Sequence, residues 1–498
     1  MQATQNTQYN TAVEHFDVLV VGAGISGIGA AWHLQTQSPG TTYAVLESKP
    51  TFGGTWVTHT YPGIRSDSDL YTFGYRFKPW SGAPIATAEE ILNYMGEVIQ
   101  ENGLAPHIRY GHAILSASWS TAQRRWALQV REEATGQVVQ MTAGFLWMCQ
   151  GYYDHHKGYT PEWPGMQDFT GRIVHPQNWP QDLDYADKRV VVIGSGATAA
   201  TLLPAMAAHC AHITMLQRSP TYFRTARNVN ELADMLRQLQ IPEEWTHEIV
   251  RRKILLDQTQ FQVRALAEPD AVKRDLLNNV RSFLGDKVDV DKHFSPNYRP
   301  WQQRVAFIPD GDLFQAIAKG QASVVTDDID TFTPGGIRLK SGTELPADIV
   351  VTATGFNLCA LGGIAFEVDG KPLDFGNTVS YRGAMFTGVP NMVWVFGYFR
   401  WSWTLRVDVL GDFVCRLLAQ MKTRGSTMVT PELRSQDQGM ALKAWIEPDN
   451  FNPGYLARGV HLLPKQGVVE PWRHDQDYIK DLRELPLADL DDGALRFK

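Results

Sequence analysis

A chain of 498 residues is long enough for roughly two to four domains, each burying its own core. Its hydrophobic and charged fractions, 44% and 20%, lie near globular averages, and a formal charge of −7 offers no general basic surface to a phosphate backbone, so disorder, a membrane bundle and nucleic-acid binding are not expected. Cys149, Cys210, Cys359 and Cys415 are far apart with no Cys-x-x-Cys, so neither a structural zinc site nor the redox dithiol of a disulfide reductase is expected, no metal is expected, and the four read as free thiols in a reducing compartment. Met1 to His15 are polar, with neither a basic start nor an apolar core, and read as a frayed tail rather than a signal peptide. No apolar run approaches the ~20 residues of a bilayer span, so no transmembrane segment is expected and the cytoplasm is the default location.

Phe16 to Val21 is a β-branched run that ends at Gly22, and Ile25 to Gln35 continues with helix-compatible residues. In such a strand, turn and helix, Gly22 permits the tight turn, Gly24 admits a pyrophosphate to the backbone, and Gly27 allows close helix packing. The helix N-terminus then faces the phosphates. A second strand, Tyr43 to Leu46, ends at Glu47, whose carboxylate suits the ribose hydroxyls of FAD or NAD and repels a ribose phosphate. Gly53, Gly54, Thr55 and Trp56, then Tyr61-Pro-Gly-Ile-Arg-Ser-Asp67, form an irregular aromatic loop suited to lie over a flat ring. Ala88 to Gln100 reads as a helix. Ile114 to Val130 with Gly136 to Met141 reads as a meander, and Gly144 to Cys149 as a separate buried strand.

The run Phe169-Thr-Gly171-Arg-Ile-Val-His175-Pro-Gln-Asn-Trp179-Pro180 precedes a second glycine turn, in which Val190 to Ile193 lead into Gly194, Gly196 and Ala199. The next strand, His212 to Gln217, ends at Arg218, the place equivalent to Glu47; a guanidinium there pairs with a 2′-phosphate in fork geometry, so this site should prefer NADPH. Two such sites suggest a two-cofactor redox enzyme. Asn228 to Gly285 has apolar residues at helical spacing, divided by Pro242 and Pro269, and is expected as a helical insertion in the second nucleotide domain with its apolar face in the core. Strands at 323–325, 336–339 and 349–352 lead into Ala353-Thr354-Gly355, which returns the chain to the first domain. Another strand at 391–396, a helix at 407–420 and an aromatic, proline-punctuated cap follow.

These residues together resemble the class B flavoprotein monooxygenases, and within them the type I Baeyer–Villiger monooxygenases. The family signature Phe-x-Gly-x-x-x-His-x-x-x-Trp-Pro is filled by Phe169, Gly171, His175, Trp179 and Pro180, and a second pattern by Gly53, Gly54, Trp56, Tyr61, Pro62, Gly63 and Asp67. The stretch from Tyr61 to Tyr75 and Lys292-His-Phe-Ser-Pro296 are similar to the ethionamide-activating subgroup, and the likeness covers residues 16–480. The resemblance implies an α/β fold of two Rossmann-like dinucleotide-binding domains, FAD at the first turn and NADPH at the second. The residues expected at the cofactors are Gly22, Gly24, Gly27, Glu47, Gly54, Thr55, Trp56, Asp67, Gly194, Gly196, Ala199, Arg218, Ser219, Thr354 and Gly355.

The implied activity converts ketones to esters or lactones with O2 through a C4a-peroxyflavin, Arg304 steadying the anion and Asp67 orienting that arginine. His175, in the linker, is expected to couple cofactor binding to domain position rather than act as a base. Gln303 stands where many members carry a lysine for the 2′-phosphate, which leaves the NADPH preference to Arg218. The expected division is 1–150 and 353–498 for FAD, 151–225 and 301–352 for NADPH, and 226–300 for the helical insertion. A heteroatom oxygenase acting on sulfides, thioamides or amines uses the same chemistry, and a nucleotide-binding redox module without turnover is the alternative from another class. Trp401, Trp403 and Leu405 are candidates for the pocket wall. Neither the oligomeric state nor the individual substrate is legible.

Overall fold

The computed structural model describes residues 13–498. Most of the expected N-terminal tail therefore lies outside the described residues, but Glu14 and His15 do not belong to a tail. They open the strand Glu14–Val21, which pairs in parallel with residues 141–148 on one side and 43–46 on the other. Val18 to Val21 are buried because the central strand of a parallel sheet is covered on both faces, hence the unbroken apolar run.

That strand belongs to a nine-stranded sheet that mixes the parallel core with the antiparallel meander His112–Ser120, Arg125–Glu132 and Val138–Met148. One expectation is corrected here. Residues 138–148 are a single strand, not two, whose first half pairs with the meander and whose buried second half pairs with the central strand. The break read from the sequence, between Met141 and Gly144, falls where the strand changes partner and so changes from one-sided to two-sided burial.

The second sheet has five parallel strands in the order Ala322–Thr326, His212–Gln217, Arg189–Ile193, Ile349–Thr352 and Arg172–Val174. Two connections join the sheets. Tyr153–Gly158 leads out of the first, Phe356–Leu358 leads back, and the two pair antiparallel. The returning chain contributes Met392–Trp394, which pairs with residues 146–148. It also contributes the helix Thr404–Arg424, packed on Ile25–Gln37 so closely that a Cβ on Gly29 would lie 2.7 Å from Val407 and one on Gly411 would lie 2.4 Å from His33.

The helical segment consists of Glu231–Gln238, Glu243–Ala267 and Pro269–Leu284, with Pro242 capping the second helix and Pro269 opening the third. Its placement differs from the expectation of an insertion in the second domain. Leu277, Val280 and Leu284 join the second core, whereas Ala233, Leu236, Val250 and Leu255 join the first. Arg251 makes the difference: its buried guanidinium donates to the carbonyls of Tyr71 (2.9 Å), Thr72 (3.4 Å) and Gly74 (3.0 Å) of the first domain. The outward side of the long helix exposes Trp245, Leu256 and Val263. Among the described residues no helix is long and apolar enough to cross a membrane.

Candidate active site

The two glycine turns follow one backbone path. Gly22 and Gly194 both take positive φ, +97° and +126°, and the helices that follow are capped by Gly24 at φ −75°, ψ −174° and by Gly196 at φ −75°, ψ −173°. Neither cap has a side chain to occupy the first amides, which leaves each helix start with donors for an anion. A Cβ on Gly27 would stand 1.8 Å from the Gly22 carbonyl oxygen, so glycine is obligatory there, while its counterpart Ala199 is accommodated and fully buried.

The turns differ in what lies above them. Gly53 donates its N–H to the Ala23 carbonyl at 3.0 Å, and a Cβ on Gly54 would come within 3.0 Å of the Gly24 Cα, so the Gly53–Gly54 loop is laid directly over the first turn. A Cβ on Gly196 would meet nothing within 4 Å, so the second turn is open. Such cradles, bounded by backbone and without side chains, fit the pyrophosphates of two dinucleotides. Glu47 is buried at the end of its strand, with Oε2 accepting from the Ala23 N–H (2.7 Å) and Oε1 from the Lys49 N–H (2.9 Å), which fixes the carboxylate beside the first turn. Arg218 and Ser219 are exposed at the end of theirs. The Ser219 carbonyl accepts from the Ser195 hydroxyl at 3.2 Å, tying that corner to the second turn, and no ion pair forms between Arg218 and the described residues.

Arg304 and Asp67 meet where the two halves face each other. Arg304 Nη2 donates to Asp67 Oδ1 at 2.6 Å, Nε lies 2.5 Å from Oδ2, Nη2 reaches the Ser68 hydroxyl at 3.2 Å, and Nη1 reaches the Phe399 carbonyl at 3.4 Å. The loop carrying Asp67 is clamped to the second domain. Gly63, at φ +76°, approaches so closely that a Cβ would lie 2.6 Å from Ala205, and Arg65 grips Asp312 with bonds of 2.5 and 3.1 Å. Burial pulls the Arg304 guanidinium down, and the Asp67 charge more than offsets it, so the group is held above its ordinary value and stays a cation. With 37% of its side chain accessible, that cation still presents an edge to the cleft.

Aromatic residues surround the pair. Tyr152 stacks on Trp403 (ring centroids 5.2 Å apart, planes at 21°) and approaches Tyr455 at 5.9 Å. Burial raises both phenols above their ordinary range, so they remain neutral next to the cation. Trp403 Nε1 donates to Ser26 in the first helix at 2.9 Å, which places this expected wall residue beside the first turn. Trp401 and Leu405 are instead core residues, Trp401 against Tyr478 and Leu405 with no exposure. Tyr152 and Tyr455 were not found from sequence. Tyr152 follows the end of a parallel strand, where ligand contacts concentrate, whereas nothing local distinguishes Tyr455.

Among the described residues no hydrogen bond joins the signature run to the pair. His175 Nε2 donates to the Gly355 carbonyl at 3.2 Å, and Nδ1 accepts from the Gln177 N–H at 3.2 Å, the pattern of a neutral imidazole. Burial lowers its pKa and favours that form. A Cβ on Gly158 would fall 2.0 Å from this ring. Phe169 and Trp179 are buried in the second domain, and a Cβ on Gly171 would lie 2.2 Å from the Asp348 carbonyl. Thr354 donates to the Tyr159 carbonyl at 2.5 Å, and Gly355 accepts from both Tyr159 N–H (2.9 Å) and His175. Thr354, Gly355 and the signature therefore meet at the paired connections between the domains.

Two nucleotide cradles converging on a caged guanidinium define the class of two-dinucleotide flavoprotein oxygenases. A NAD(P)-binding Rossmann-like domain model matches residues 20–79, and a flavin-binding monooxygenase-like model matches residues 84–231. The chain is 47% identical over 486 residues to the FAD-containing monooxygenase EthA of Mycolicibacterium smegmatis, covering 97% of each. It is 43% identical to the probable FAD-binding monooxygenase AlmA of Acinetobacter baylyi, covering 97% of this chain and 96% of that one. The chain belongs to this family of FAD-containing monooxygenases. Its fold is shared with a steroid monooxygenase solved with NADP (TM-score 0.70, 23% identity, 85% and 88% of the two chains) and with cyclohexanone monooxygenase (TM-score 0.70, 21% identity, 84% and 90%).

Proposed function

We propose that this monooxygenase is of the Baeyer–Villiger type. One atom of O2 is inserted beside the carbonyl carbon of a ketone to give an ester or lactone, the other leaves as water, and NADPH supplies the two electrons. The Arg304–Asp67 pair at the meeting of the two cradles is the observation that carries this reading. FAD would be held by Gly22, Gly24, Gly27, Glu47, Gly54, Thr55, Trp56 and Asp67, and NADPH by Gly194, Gly196, Ala199, Arg218 and Ser219, with Thr354 and Gly355 at the hinge. The domains on this reading are 1–150 with 353–498 for FAD and 151–225 with 301–352 for NADPH, and 226–300 lies between them.

Bound FAD supplies the redox chemistry, receiving the hydride and activating O2. The chain supplies electrostatics and exclusion of water. Addition to a carbonyl builds negative charge on oxygen, and a cation fixed in place before the reaction stabilises that charge without reorganisation. Arg304 provides it, Asp67 holds the guanidinium fork in one orientation, and the Phe399 carbonyl occupies Nη1 so that the remaining donor edge is aimed. Tyr152, Trp403 and Tyr455 keep the surroundings dry, which strengthens the same interaction.

The test is product analysis over a panel of aliphatic and aryl ketones with a thioether in parallel. Ester formation coupled to NADPH consumption supports the proposal. A sulfoxide from the thioether with no ester from any ketone would replace it with heteroatom oxygenation.

A further inference from the structure

Two more guanidiniums meet beside the site and have no role in it. Arg299 precedes Arg304 by five residues, and Arg400 follows Phe399, whose carbonyl Arg304 touches. Arg299 Nη2 donates to the carbonyls of Asp449 (3.0 Å) and Asn450 (3.3 Å), and Arg400 Nη2 donates to the Asn450 carbonyl (2.6 Å) and side-chain oxygen (2.5 Å). Two cations thus share one neutral acceptor. Among the described residues no carboxylate pairs with either, although the chain carries an excess of acid.

Two donors of this pair are buried without an acceptor among the described residues: Arg299 Nη1 and Arg400 Nε. Buried donors are nearly always satisfied, and like charges brought together without a counter-ion are costly. Burial, followed by the charge of Arg299, pulls Arg400 down to about 10. Trp301, between Arg299 and Arg304, is held at φ +64°, a strained conformation for a large side chain. Gln258 and Gln262 of the long helix both donate to the Arg400 carbonyl, at 2.6 and 2.9 Å, so the arginine is fixed from behind.

We infer that Arg299 and Arg400 form an anion subsite for a carboxylate carried by the substrate, so that the ketone oxidised at Arg304 is an oxo-carboxylic acid. The inference rests on the proposed ketone oxygenation. A carboxylate matches paired guanidiniums in fork geometry and supplies the missing counter-charge. The cofactor phosphates have their own candidate partners, the amides after Gly24 and Gly196 and the exposed Arg218. Five residues span at most about 18 Å, so one chain-like molecule can engage both Arg299 and Arg304.

The experiment compares oxo-fatty acids of varied ketone position with their methyl esters, using the holoenzyme and its Arg299→Gln, Arg400→Gln and Arg400→Lys variants. Calorimetry on the oxidised protein reads binding, and kcat/KM reads turnover. The wild type should bind an acid at least about tenfold tighter than its ester, the scale of a charge-assisted hydrogen bond. Both Gln variants should remove that preference, and the lysine should restore part of it. An acid-to-ester ratio unchanged in the Gln variants overturns the subsite. A rise in KM for NADPH with that ratio unmoved assigns the anion to the cofactor and also overturns it. If the wild type oxygenates neither compound, the ketone reading fails by itself, while the calorimetric preference still decides whether the carboxylate is bound.

Discussion

Arg304 contacts both oxygens of Asp67 and remains charged in a cleft that would otherwise discourage charge. Arg304→Ala should leave NADPH-driven bleaching of the flavin largely intact and reduce oxygenated product by about 100-fold or more, the scale of losing one preorganised donor; stopped-flow absorbance and product analysis separate the two steps. Arg218→Ala should raise KM for NADPH about tenfold or more and leave NADH little changed, because only the former carries the phosphate the guanidinium would pair with. Buried histidines add sensitivity to acid. Burial above all lowers His59 and His155 to about 4, so both fold as neutral rings. Their contribution is complete above the ordinary 6.5, falls as the unfolded chain takes up protons the folded chain refuses, and levels off below about 4. Urea midpoints measured across that window should drop as the pH is lowered, and a flat profile would remove this source of acid sensitivity. The strand ends at Glu47 and Arg218 were legible because the buried runs before them fix where each strand stops. Tyr152 and Tyr455 were not, because an aromatic ring reads alike in a core and in a pocket wall.

Elements with a single burial pattern were legible. Both strand, turn and helix units form as expected: Gly22 and Gly194 turn at positive φ, and the close packing contact that admits only glycine at Gly27 admits alanine at Ala199. The strand Val138–Met148 was misdivided because its two halves answer to different neighbours, information that only the partner strands contain. The long helix Glu243–Ala267 was placed in one domain although Arg251 binds it to the other. Gly27→Ala should abolish flavin retention and lower stability by ~1–3 kcal/mol or more, since the obstacle 1.8 Å away is backbone and cannot turn aside. Visible absorbance of the purified protein and its thermal midpoint check this. Gly158→Ala, pressing on the His175 ring, should spare flavin content and disturb the response to NADPH, which titration of the oxidised flavin spectrum with NADP would register.

At the level of the whole molecule, the first sheet is completed only by the returning chain. Residues 392–394 lie against 146–148, and the helix Thr404–Arg424 covers the helix after the first turn. A chain ending before residue 385 should therefore be recovered without flavin although every glycine and Glu47 of the first turn is present. The sequence order alone suggested this return through Ala353-Thr354-Gly355, but not that the middle helices would bind to both cores.

The Gly355 carbonyl receives the Tyr159 amide and the His175 imidazole together. Two donors from separate stretches of the chain converge on that single oxygen, so displacing either stretch against the other would cost one of the two bonds.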